Sequence, residues 1–255
     1  MQAYYEHMVE GSAWHWQDAD PVALSCQIVS SPLGSLVLGL MPPSDTGVIL
    51  DAGCGVGAWV YLLTLLGYRV VGADDNSVAI RRARSAGLTV EMADATRLPW
   101  DDNSVSVYLS LGVVEHDPGG PWNILRESTR VLRPGGRALI SVPYRNRLRR
   151  IFRDWIELRQ CQKALNGASF YQYAFSEREI LDAIHTAGLV PISSHLYGPT
   201  KMFRVCLPAS TRVAIDSGTA AGSSSILRRL VRRFLYTPLA LRWCAHMILV
   251  VAEKP

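Results

Sequence analysis

Cysteine is scarce in this sequence and widely scattered. Cys26, Cys54, Cys161, Cys206 and Cys244 are odd in number, form no Cys-x-x-Cys pair and have no histidine at ligand spacing. Free thiols and no structural metal are expected. No apolar run reaches the ~18 residues that a membrane-spanning helix needs, and Met1-Gln2-Ala3-Tyr4-Tyr5-Glu6 lacks the basic-then-apolar order of a secretion leader. A cytoplasmic location is the expectation. Nucleic acid is disfavoured as a partner: there is no Asn-Pro-Pro-Tyr motif, and no aromatic platform is interleaved with the basic stretches.

What remains is ample for a full core, with 49% hydrophobic residues in a chain of 255. Charge is unevenly placed. Residues 1–200 hold 17 Lys and Arg against 20 Asp and Glu, whereas residues 201–255 hold 9 against 2. The basic charge thus belongs to the tail, where it suits an anionic surface or substrate, or forms a solvated helix face.

The most informative stretch is Val48-Ile-Leu-Asp-Ala-Gly-Cys-Gly-Val-Gly-Ala-Trp59. An uncharged apolar strand runs into a glycine turn and then an apolar helix. Glycines at 53, 55 and 57 leave the backbone uncovered, and the N–H groups at the helix start favour an anionic ligand end such as a carboxylate. Strands near 47–52, 69–74, 88–92, 104–110 and 136–143 alternate with helices near 57–66, 77–86 and 120–132. A sixth strand near 189–197 and a last one near 245–252 complete the pattern. This predicts an α/β fold: a doubly wound, mostly parallel seven-stranded sheet with helices on both faces. In such sheets ligands bind at the carboxyl ends of the strands, which here carry Asp51, Asp74, Asp75, Asp94 and the Ser110–His116 segment.

Residues 1–44 form an N-terminal segment, with a helix over 32–40 and an aromatic opening of Tyr4, Tyr5, His7, Trp14, His15 and Trp16. That opening reads either as a lid or as an amphipathic helix on the domain edge. Residues 45–255 form the main domain, with basic helical inserts near 145–170 and 200–243. Ser176-Glu-Arg-Glu179 has capping-box form and opens a helix that ends at Gly188. In Ile226–Leu235, arginine pairs alternate with apolar pairs, giving one apolar face and one basic face suited to an anionic membrane, or a solvated helix.

Dinucleotide sites want Gly-x-Gly-x-x-Gly, and this turn is Gly-x-Gly-x-Gly, preceded by Asp51. A ligand with both an ammonium and a carboxylate suits it better. Here the chain resembles the class I S-adenosylmethionine-dependent methyltransferases, of the small-molecule branch called type 11. The resemblance rests on 48–57, Val70-Val-Gly-Ala-Asp74, Ala93-Asp-Ala-Thr-Arg-Leu-Pro-Trp100, Gly112-Val-Val-Glu-His116 and Arg130-Val-Leu-Arg-Pro-Gly-Gly136.

The resemblance implies S-adenosyl-L-methionine as cofactor. Asp51, Gly53, Gly55 and Gly57 would hold its methionine part, Asp74 the ribose hydroxyls, and Asp94, Ala95 and Leu98 the adenine, with Glu115 near the amino end. Asp75 departs from the family's apolar preference. The expected chemistry is in-line methyl transfer to a small-molecule or lipid-linked acceptor, with peripheral contact to an anionic membrane as one version. His116 is the candidate general base for a hydroxyl acceptor, or else a histidine bonded to its own loop; Tyr144 is a weaker candidate for acceptor contact. A catalytically silent cofactor-binding partner of the same fold, or a nicotinamide oxidoreductase, are the alternatives.

Overall fold

Adjacent apolar residues of the central strands face opposite ways, and this sets the layering. In β2 (Val48–Ala52) Ile49 enters one core and Leu50 the other; in β5 (Val105–Leu111) Val107 and Leu109 join Ile49 while Tyr108 joins Leu50. Side chains alternate across a pleated strand, so a strand apolar at every position requires cover on both faces. A computed structural model describes residues 1–6, 16, 18–199 and 233–255. In it α2 (Pro32–Leu40), α3 (Ala58–Leu65) and α4 (Ser77–Ser85) cover the Ile49 face, and α5 (Trp122–Val131) and α8 (Glu177–Thr186) the Leu50 face.

The remaining strands of the main sheet are β3 (Arg69–Asp74), β4 (Val90–Met92), β6 (Leu132–Pro143), β8 (Val190–Tyr197) and β9 (Met247–Glu253). The seven lie in the order β4–β3–β2–β5–β6–β9–β8. Every pairing is parallel except those of β9, which runs antiparallel between β6 and β8. The expected seven-stranded, mostly parallel sheet is therefore present. The order in which successive strands are added reverses at the parallel β2–β5 pair, and a crevice opens there at the carboxyl ends.

Helix ends follow local chemistry. Asn76 caps α4 through Val78 and Ala79, and Ser176 with Glu179 completes the anticipated capping box of α8.

Four features differ from the sequence reading. Gln2–Glu6 form a strand, β1, paired antiparallel with β7 (Ser169–Ala174) in a separate two-stranded ribbon; this pairing spans most of the chain, so no local signal carries it. A helix, α1 (Pro21–Ser30), precedes α2, announced by the Asp20 cap and Pro21 but weakly amphipathic. β6 begins at Leu132 opposite Val105, and a register shift before Val107 absorbs Pro134–Gly136, which had read as a turn. The basic insert is broken into α6 (Arg147–Ile151) and α7 (Arg153–Leu165), followed by α9 (Pro238–Cys244) before the last strand. His7, Trp14, His15 and most of the Ile226–Leu235 arginine segment lie outside the described residues. Among the described residues no single helix is long and apolar enough to cross a membrane.

Candidate functional site

The crevice at the switch point encloses about 710 Å³. Its floor is the glycine turn: Gly53, Gly55 and Gly57 all have φ between 55° and 82°, the left-handed region where glycine is strongly favoured. Gly53 N–H and Cys54 N–H both donate to Ala73 O, at 2.7 and 2.9 Å, so the turn is stitched to β3. A Cβ on Gly53 would lie 2.3 Å from Val113, and one on Gly55 would lie 2.7 Å from the Trp16 ring. The bare backbone is what lets both neighbours approach.

Asp74 ends β3 on the crevice wall. Its Oδ2 accepts from Gly55 N–H at 2.8 Å and its Oδ1 from Asn76 N–H at 2.9 Å. Burial raises its pKa, partly offset by those two N–H groups and reinforced by Asp75. Asp51 lies beneath the turn rather than on the cavity wall. It is 2% exposed, its Oδ2 has no hydrogen-bond partner, and burial together with the Asp74 charge pushes its pKa up to about 7. Asp94 holds the wall after β4, its Oδ1 accepting from Thr96 N–H at 2.7 Å and from Thr96 Oγ at 2.8 Å.

Asp74, Asp75, Asp94 and Asp117 line the crevice, and among the described residues no lysine or arginine does. Such a wall repels a pyrophosphate and attracts a cation. A sulfonium ligand carrying an ammonium group fits it, and the partnerless Asp51 Oδ2 marks buried acceptor capacity under the turn that would hold the amino end.

The family model described as a methyltransferase domain matches residues 50–140. The stretch that holds the glycine turn, Asp74, Asp94 and His116 thus carries the match. The chain is 39% identical over 95 residues to an uncharacterized methyltransferase of Mycobacterium sp. strain KMS, covering 36% of this chain and 37% of that protein. It is 29% identical over 136 residues to the 27-O-demethylrifamycin SV methyltransferase of Amycolatopsis mediterranei, covering 50% and 48%. The matched stretch is thus less than half of either relative's length. In fold it is similar to the solved Haemonchus contortus phosphoethanolamine N-methyltransferase 2 in complex with S-adenosyl-L-methionine, with a TM-score of 0.59 at 21% identity over 95% of this chain and 56% of that one.

His116 lines the crevice from a 3-10 turn, Val114–His116, that follows β5. Its Nδ1 lies 2.8 Å from Tyr171 O on β7, which assigns the ring proton to Nδ1 and makes Nε2 the basic nitrogen. The Tyr171 ring meets it edge-on at 5.1 Å. Burial lowers the His116 pKa, partly offset by the Tyr171 carbonyl, so the ring is neutral at pH 7.

Of the residues expected at the cofactor, Gly53, Gly55, Asp74, Asp94 and Ala95 line the crevice, while Asp51 and Gly57 support it from behind. Three expectations need correction. Leu98 points into the core at 5% exposure, because its N–H is drawn to Glu127 Oε1 at 2.6 Å and its carbonyl to Arg130. Glu115 is 2% exposed and off the wall, its pKa pushed up to about 8 by burial. Tyr144 lines a different cavity, because β6 carries it away from the switch point.

The residues missed lie on the roof. Leu24, Gln27, Ile28 and Ser31 of the α1–α2 corner face the crevice beside Trp16. The Asp20-Pro21 start was the available signal for this helix. Arg130 is a second omission: it bonds Glu127, Asp102 and the carbonyls of Leu98 and Trp100, pinning the loop that carries Asp94.

Proposed function

We propose that this chain is a methyltransferase that uses S-adenosyl-L-methionine to methylate a small-molecule or lipid-linked acceptor by in-line displacement. The observation that carries the reading is the acidic crevice in which Asp74 binds the glycine turn while facing the ligand space. When bound, the cofactor would supply an activated methyl on a sulfonium, placed by these residues in line with the acceptor.

The chain's own residues position and protect. Asp74 and the turn orient the ribose and methionine ends, and Asp94 with Ala95 takes the adenine edge. Gathering two reactants in one geometry can supply about 7–11 kcal/mol of the barrier, so an elaborate catalytic array is unnecessary. His116 Nε2 is the base for a hydroxyl acceptor; its neutral ring and fixed tautomer support that role. The name of the Amycolatopsis relative, which gives a small-molecule substrate, supports the same acceptor class. Trp16 and the α1–α2 corner, from the N-terminal segment, act as a cover over the crevice of the domain that follows.

The test is calorimetric titration with S-adenosylmethionine, S-adenosylhomocysteine and NADH. Micromolar binding of the two sulfur ligands without NADH is expected; heat from NADH alone would overturn the reading. A chain that binds cofactor through Asp74 yet methylates no member of an acceptor library is a binding partner instead.

A further inference from the structure

A second concavity of about 650 Å³ shares no wall residue with the crevice. Six arginines line it: Arg145 just past β6, Arg147 and Arg150 on α6, Arg153 opening α7, Arg178 in the first turn of α8, and Arg242 on α9. Among the described residues the one carboxylate on its wall is Glu177, whose Oε1 accepts from Ser194 Oγ.

Internal partners neutralise only part of this charge. Arg145 Nη2 reaches both oxygens of Glu179 at 2.9 Å, but its Nε is buried with no acceptor. Arg153 pairs with Glu157, Arg178 with Asp182, and Arg147 lies over the Trp243 ring at 5.5 Å. Among the described residues Arg150 and Arg242 have no carboxylate partner. Six guanidinium groups facing one space repel each other, and a multivalent oxyanion relieves that repulsion. The planar guanidinium fork matches phosphate oxygens two at a time.

We propose that this arginine cleft is a binding site for a phosphate or diphosphate group. The elements that bear these arginines have a second character. Ile151 on α6, Phe152 at the α6–α7 junction, Trp155 and Leu158 on α7, and Leu239 on α9 are each 55–68% exposed. Exposed apolar side chains on the same elements as a phosphate pocket suit a ligand whose phosphate carries a hydrocarbon chain. The site needs no cofactor in the crevice, so it stands or falls apart from the methyl-transfer reading.

The experiment is calorimetry of the full chain with inorganic pyrophosphate at low salt, beside sedimentation with phosphatidylglycerol and with phosphatidylcholine vesicles. The native chain is compared with an R150Q/R242Q variant and with an R81Q/R82Q control on exposed α4, each checked by circular dichroism and melting temperature. Binding of pyrophosphate that falls at least about tenfold in R150Q/R242Q and holds in R81Q/R82Q is expected. Phosphatidylglycerol binding with the same variant pattern, without pyrophosphate heat, assigns the phosphate to a lipid headgroup. Silence with both probes, or equal losses in the two folded variants, would overturn the proposal.

Discussion

The N–H of Gly55 donates to Asp74 Oδ2 at 2.8 Å, tying the glycine turn to the end of β3. One carboxylate therefore shapes the turn and faces the ligand. Asp74→Ala removes the acceptor for two backbone N–H groups, each worth roughly 1.5–3 kcal/mol as a charged hydrogen bond. Calorimetry should show S-adenosylmethionine affinity falling at least about a hundredfold. Asp74→Asn, which keeps one acceptor oxygen, should lose less; equal losses would mean that the turn does not depend on this contact.

Asp51 gives a pH signature in the cofactor-free protein. Its folded pKa of about 7 lies above the ordinary aspartate value. As pH rises past 4, the unfolded chain releases this proton first, so the folded state becomes relatively less stable until pH 7, where both are ionised. Asp51→Asn mimics the protonated acid. Its melting temperature should match the native chain below about pH 4 and exceed it by a margin that grows up to about pH 7, while its cofactor affinity drops. A constant difference across that range would show that Asp51 does not titrate as described.

His116→Asn should leave S-adenosylmethionine affinity within about twofold and lower turnover on a hydroxyl acceptor by roughly a hundred- to ten-thousand-fold. Because burial lowers the His116 pKa, the fall of the native rate in acid should begin only below the ordinary histidine range. Unchanged turnover in the variant would reduce His116 to a bond that holds β7.

Trp16 and Gly55 form a closed contact. Gly55→Ala puts a methyl 2.7 Å from the ring at a φ of 55°, adding left-handed backbone strain of about 1–2 kcal/mol. Trp16→Ala relieves the clash but not the strain. Stopped-flow dissociation of S-adenosylhomocysteine should be faster in Trp16→Ala, and the double variant should recover part of the stability lost in Gly55→Ala. Full additivity would mean that the two do not touch.

The central sheet was readable because two local signals coincided at each strand end: uncharged branched runs such as Val48–Leu50, then glycine or aspartate. Asp74 and Asp94 followed from that register. Leu98 misled because it sits beyond regular structure, where side-chain direction comes from distant partners; Glu127 and Arg130, on α5, turn it inward, while Glu115 sits in the 3-10 turn after β5 and is buried there. The roof escaped for a different reason. Helix α1 is apolar on several sides, with Val22 and Val29 exposed and Ile28 packed inward, so its pattern has no single face to point at a crevice.

β9 sits between β6 and β8, yet it is the last of the strands to be synthesised. A nascent chain leaving the ribosome therefore exposes the bare edge of β6, with Leu139, Ile140 and Val142, until residues 247–253 arrive. Until then β8 has no neighbour in the sheet. An open apolar edge templates association between chains. Substitutions in β9 should accordingly be felt in the cell as lost yield and a greater need for chaperones, even where the finished crevice is untouched.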